Sequence, residues 1–290
     1  MKFGYDYWYQ PKFDIMISTE WGDPNKGLHI ADVKAGHYGN KLHFWSWKAH
    51  EHLQSIELDP VAGCMPLEVR FLHNPASSHG FVGCALGSSI YHFHRNQEGK
   101  WTADMVVQIP AKKVSNWAMD SMPAVITDIL ISLDDRFLYV SCWLHGDLRQ
   151  YDISDPEHPK LTGQVFIGGS ITKQGPVKVV EDAELQEQPD QLVVKDRKID
   201  GGPQMLQLSL DGKRLFVTTS LYSIWDNQFY PELIKNGAAM LQLDVDTEKG
   251  GMKVNPEFLV DFGKEPNGPV LAHEMRYPGG DCTSDIWLEN

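Results

Sequence analysis

Long apolar runs are missing from this chain of 290 residues: no stretch reaches the roughly 18 apolar residues that a membrane-spanning helix needs. Met1 to Trp8 lacks the apolar core of a secretory signal, so a cytosolic location is the default expectation. Cysteine is scarce, and the four thiols, Cys64, Cys84, Cys142 and Cys282, form no Cys-x-x-Cys pair. That argues against a structural zinc knuckle or a local redox disulfide, and buried reduced thiols are the ordinary reading. Cys142, between Ser141 and Trp143 at a strand end, is the one placed to meet a thiol or selenol ligand. Basic charge is in the minority, 26 residues against 39 acidic, with a net charge of −13 that is scattered rather than blocked. No basic face is offered to phosphate, which argues against nucleic acid and anionic membrane as primary ligands. Long helical periodicity is nearly absent; 231–236 and 180–186 read as short helices.

What is there is a repeat. Ser132-Leu-Asp-Asp-Arg-Phe-Leu-Tyr-Val-Ser141 returns in altered form as Ser209-Leu-Asp-Gly-Lys-Arg-Leu-Phe-Val-Thr218, a strand, a tight acidic turn and a second strand. Each copy runs on into a third polar-apolar stretch, 148–153 and 240–245. Antiparallel meanders repeated along a chain indicate an all-β fold of propeller blades, and strand spacing predicts about four to five of them. A hydrophobic fraction of 42% supports a full core, and residues 1–290 are expected to form a single domain with a charged, Pro-interrupted inter-blade insertion at about 175–200.

Aligning the acidic turns puts Asn74, Asp134, Asp211 and Gly279 in register, with Glu68, Asp128, Met205 and His273 six residues earlier. These four are the candidates for the central channel. His145, in Trp143-Leu-His-Gly-Asp147, falls in the loop between a blade's second and third strands and is expected on the same face as His273. The aromatic insertion 221–230 occupies that loop one blade later and can roof the face. Imidazoles drawn from different blades suit a transition metal such as copper, against the plainer roles of bonding a neighbouring blade or capping a loop. Glu68 and Asp128 could orient such imidazoles or take a thiol proton, or could bind water and tie blades together. His73 falls in the turn and reads as structural; His92 and His94 share one face of an outer strand, the spacing of a metal pair, although a solvated face is the plainer reading, as for His43, His50 and His52.

Tyr5-Asp-Tyr-Trp-Tyr-Gln-Pro11, Met16-Ile-Ser-Thr-Glu-Trp21, Arg70-Phe-Leu-His-Asn-Pro75, Trp143-Leu-His-Gly-Asp-Leu-Arg-Gln-Tyr-Asp152, Gly202-Pro-Gln-Met205 and Ala272-His-Glu-Met-Arg-Tyr-Pro-Gly-Gly-Asp-Cys282 resemble the selenium-binding protein family, the methanethiol oxidases, and most closely its animal members. The resemblance runs end to end. It implies a seven-bladed propeller and a metal-dependent oxidation of methanethiol by oxygen and water to formaldehyde, hydrogen sulfide and hydrogen peroxide, with copper as the metal, as in bacterial relatives. It also implies selenium binding, association with nucleus and peripheral membrane beside the cytosol, and a link to protein transport. Against the family pattern this chain lacks an N-terminal part of about two to three blades with a Cys-x-x-Cys segment and a His-His pair. The cysteine tied to selenium binding would lie in that part, outside this chain. Of the family's histidine motifs His273 and His145, and less securely His73, remain, with His273 and His145 as the metal-ligand candidates and Glu68 and Asp128 as the catalytic carboxylates. Two expectations follow: self-association through open propeller edges, and little oxidase activity in this chain alone. The alternative is a non-catalytic propeller that binds selenium or a protein partner.

Overall fold

The computed structural model describes residues 3–26, 29 and 37–276. Among them are four four-stranded antiparallel meanders. Blade I takes Gly4–Gln10, Ile15–Glu20, Lys41–Ser46 and Glu51–Glu57. Blade II takes Pro66–Phe71, His79–Cys84, Ser89–Arg95 and Trp101–Gln108. Blade III takes Ile126–Ile131, Phe137–Cys142, Asp147–Asp152 and Lys160–Phe166, and blade IV Leu206–Leu208, Arg214–Thr218, Ala239–Val245 and Met252–Asp261. The innermost strands of blades II and III are covered on both faces and so are buried at every position instead of alternating. Layers of Ile, Leu, Val and Phe fill the space between neighbouring blades. Ile17, Phe44, Phe71 and Phe93 lie between I and II, and Phe81, Ile129, Leu138 and Val140 between II and III. Leu130, Tyr139, Leu215 and Leu241 lie between III and IV.

The sequence repeat has one physical cause in both copies. Ser132 Oγ donates to Asp134 Oδ1 at 2.5 Å and accepts the Phe137 amide at 2.9 Å. Ser209 Oγ donates to Asp211 Oδ1 at 2.5 Å and accepts the Arg214 amide at 3.0 Å. Serine closes the turn and aspartate holds the serine. Ser209→Ala should therefore cost about 1 kcal/mol, read as a lower urea midpoint at unchanged slope. An unchanged midpoint would show that the turn closes without it.

The segment expected as a helix at 180–186 is instead a strand, Lys178–Glu181, followed by turns. That strand pairs with Lys112–Ser115, which in turn pairs with Ser121–Met122. Tertiary charge decides the matter. Lys112, 1% exposed, donates to Asp182 at 2.8 Å, and Arg149 holds Glu184 at 2.7 and 2.9 Å, so the segment is drawn onto blade III. The 231–236 helix forms as expected, and a second, Ser223–Phe229, precedes it; they are α2 and α1. Gly279 and Cys282 lie outside the described residues.

Candidate active site

Blades I to III carry a register shift at the start of the innermost strand, between Gly4 and Tyr7, Pro66 and Val69, and Ile126 and Asp128. Bulges re-aim side chains, and these three turn Asp6, Glu68 and Asp128 toward one small chamber of about 160 Å³. Asp6 Oδ2 accepts the Val69 amide at 3.1 Å and Asp128 Oδ2 the Leu206 amide at 2.7 Å, so each ties its blade to the next. Arg70, two residues along the strand from Glu68, donates to Asp6 at 2.8 Å and Glu68 at 2.8 Å, with its guanidinium 4.5 Å from the Trp8 ring centroid. Arg70 thus bonds two of the three carboxylates and acts on Asp128 through its charge. Burial, then the Asp6 charge, pushes the Glu68 carboxyl well above its ordinary range. Burial raises Asp128 to about 7 against the pull of Arg70, and its Oδ1 is buried without a partner.

Next to the chamber lies a second, apolar cavity of about 220 Å³. Leu67 and Thr127, the residues preceding Glu68 and Asp128, line it together with Met65, Val125 and Trp21. The insertion does roof it, with Leu221, Tyr222 and Trp225 in its wall. Trp225, 2% exposed, lies with its ring centroid 6.0 Å from that of Trp143, and Tyr230 OH donates to the Trp143 carbonyl at 2.7 Å. Asp226 starts the roof's own bonding by accepting Ser220 Oγ at 2.6 Å and the Leu221 amide at 3.1 Å.

Burial raises Asp226 from 3.8 to about 6. A folded value above the unfolded one means that this group's contribution is complete below pH about 4 and is lost as pH rises through about 6. The stability of the chain relative to an Asp226→Asn variant should thus fall by up to about 3 kcal/mol between those limits. Denaturant titrations of both proteins at acid and neutral pH measure it, and a pH-independent difference would contradict it.

His273 lines the apolar cavity, with its ring exposed at the mouth. Its carbonyl accepts Thr218 Oγ1 at 2.7 Å, as the Leu67 carbonyl accepts Thr19 Oγ1 at 2.7 Å. That matching bond sets His273 level with Leu67, and Glu274 rather than His273 level with Glu68. The turn alignment is therefore one residue off at His273. His145 is not at the cavity wall. It is fully buried, with Nε2 3.1 Å from the Met122 carbonyl and Nδ1 without a partner, and burial lowers it to about 4. The turn around it is obligatory: Gly146 has φ +87°, and a Cβ there would collide with the Gly168 carbonyl. The structure thus brings Glu68 and Asp128 together, places His273 beside them, and leaves His145 apart.

His73 bonds Asp135 of the next blade at 3.0 Å, as a structural residue does. His43 is buried against Glu20 at 3.0 Å rather than at the surface, whereas His50 and His52 are exposed. His92 is also a correction: it is fully buried, because His79 and His94 cover it. Cys142 and Cys84 are buried, and burial raises both thiols, Cys84 to about 12. The sequence reading missed Asp6, Arg70, Trp21 and Tyr5. Asp6 and Tyr5 stand in the first motif, and the Glu68-x-Arg70 spacing was the available signal for the guanidinium.

Tightly held copper takes several nitrogen or sulfur donors in fixed geometry. Among the described residues one imidazole reaches the cavity, and no three His, Cys, Asp or Glu side chains stand converged on a metal position. These residues by themselves do not fit copper.

A model of the 56-kDa selenium-binding protein family matches residues 1–288. A Xenopus laevis protein named methanethiol oxidase is 64% identical over 290 residues, 99% of this chain and 61% of that protein. Mus musculus selenium-binding protein 2 is 61% identical over 288 residues, 98% of this chain and 61% of that one. A solved structure described as a hypothetical selenium-binding protein from Sulfolobus tokodaii superposes with a TM-score of 0.79 at 36% identity, covering 99% of this chain and 60% of its own. The chain spans less than two thirds of the length of these relatives.

Proposed function

The chain belongs to the 56-kDa selenium-binding protein family, and on that premise we propose that its channel site serves the oxidation of methanethiol by oxygen and water to formaldehyde, hydrogen sulfide and hydrogen peroxide. The observation that carries the reading is the pairing of a small roofed apolar cavity with an adjoining chamber in which burial raises Asp128 to about 7. The cavity suits a methyl group and a soft sulfur atom, and its aromatic roof narrows the access of solvent to them. Asp128, poised at about 7, is the base assigned to the thiol proton, and Glu68, whose carboxyl burial pushes upward, is its partner in moving that proton. Arg70 fixes the carboxylates in place. His273, at the mouth, is the residue assigned to metal contact, and we assign His145 to stiffening the loop behind Trp143. Copper as the redox metal needs donors beyond the described residues, and no step is routed through it here. Cytosol, nucleus and peripheral membrane belong to the same proposal, as do a role in protein transport and self-association through sheet edges.

One observation favours a second reading, a propeller that binds thiol or selenium species without oxidising them: only one imidazole among the described residues faces the cavity. Purified chain, supplied with copper and methanethiol in air, separates the two. Release of hydrogen sulfide and peroxide above a free-copper control supports the oxidase. Saturable thiol binding without products supports the binder, and neither result overturns both.

A further inference from the structure

The outer part of blade II holds three histidines that the channel site does not use. His79 opens the second strand and pairs across the ladder with His94 of the third, while His92 lies two residues before His94 on the same face. The rings stack: centroids are 5.0 Å apart for His79 and His92, 5.0 Å for His92 and His94, and 5.5 Å for His79 and His94. His79 Nδ1 lies 2.8 Å from His92 Nε2, so these two nitrogens share one proton. The buried His92 Nδ1 has no partner at all. From blade III, Asp155 and Glu157 in the turn before Lys160–Phe166 put negative charge on this cluster, and His158 lies against Asp155 at 3.0 Å. Thr102 Oγ1, on the fourth strand, lies 3.3 Å from His94 Nε2.

We propose that His79, His92 and His94 form a binding site for a borderline divalent transition ion of the zinc class, with the fourth position open to water or to a blade III carboxylate. Three imidazoles are a complete protein ligand set for an open tetrahedral zinc site. Two neighbouring strands fix the Cβ positions through their ladder, so the ligands are preset by the backbone rather than gathered from loops. At zinc–nitrogen distances of about 2.0–2.1 Å, tetrahedral ligands stand about 3.3 Å apart, roughly half an ångström beyond the present His79 to His92 contact. Binding the ion requires the proton between His79 and His92 to leave and the three rings to turn out of their stack. As they stand the rings stack instead of converging, which is why the site shows no metal-holding geometry yet. His79 begins its strand at the end of the blade opposite Pro66 and Leu67, so the cluster is remote from the roofed cavity and independent of the proposed oxidase reading.

The test is titration of metal-free chain with zinc sulfate in competition with a chromophoric chelator. One equivalent is expected to bind, with affinity at least tenfold lower in His79→Gln and in His94→Gln and unchanged in His50→Gln, an exposed histidine of blade I outside both sites. Both test histidines are half-buried, so thermal melts should show these variants folded even where His92→Gln is not. X-ray absorption of the loaded protein should show three nitrogen neighbours at about 2.0 Å. No stoichiometric binding, a single nitrogen neighbour, or loss of binding in His273→Ala with none in His79→Gln and His94→Gln would each overturn the proposal.

Discussion

Arg70→Met is expected to lose about 3–5 kcal/mol of folding stability, because it strands Asp6 and Glu68 in a buried chamber without the guanidinium they bond and removes its charge from Asp128. The methionine keeps most of the packing over Trp8, so the loss is electrostatic rather than steric. Its pH dependence follows from the sign of the shifts. Folded carboxyls raised above their unfolded values stabilise below the unfolded range and lose that contribution as pH rises through the folded one, here about 7 for Asp128. The variant should therefore be close to wild type in mild acid and far weaker above neutrality. Adding Glu68→Gln removes one of the stranded charges and should restore part of the loss. Urea titrations of the single and double variants across that range check it, and a loss equal at all pH would mean that Arg70 acts through packing.

Trp225→Ala is expected to lower thiol affinity or turnover at least tenfold and to cost about 3–5 kcal/mol in packing. α1 has seven residues, too few to persist as a helix without tertiary contact, and Trp225 is its buried anchor against Trp143, Tyr222 and Phe229. Faster hydrogen exchange across 221–236 should accompany the loss. Trp225→Phe should keep most of both, and an alanine variant with normal thiol binding would remove the roof from the site.

The blades were legible because each turn is a local device: the Ser-x-Asp signature closes its own hairpin within six residues. The first strand, Gly4–Gln10, escaped because its exposure pattern is mixed and no acidic turn follows it. α1 escaped because Ser223–Phe229 has no apolar periodicity and is held by contacts to another blade. Charge pairs such as Lys112 to Asp182 span 70 residues, and no local pattern announces them. At the site, Glu68 and Asp128 were found through the repeat register, whereas Arg70 to Asp6 is a contact across 64 residues. His92 was misplaced because an outer strand was assumed to be solvated, although its neighbours on the ladder are themselves histidines.

Most direct for the placement of methanethiol under the α1 roof is an anaerobic NMR experiment with carbon-13 methyl-labelled thiol. Cross-relaxation from the labelled methyl to the Trp225 indole and the Val125 methyls, lost in Trp225→Ala, is the predicted result. Cross-peaks only to residues outside the cavity, or none at saturating thiol, would contradict it.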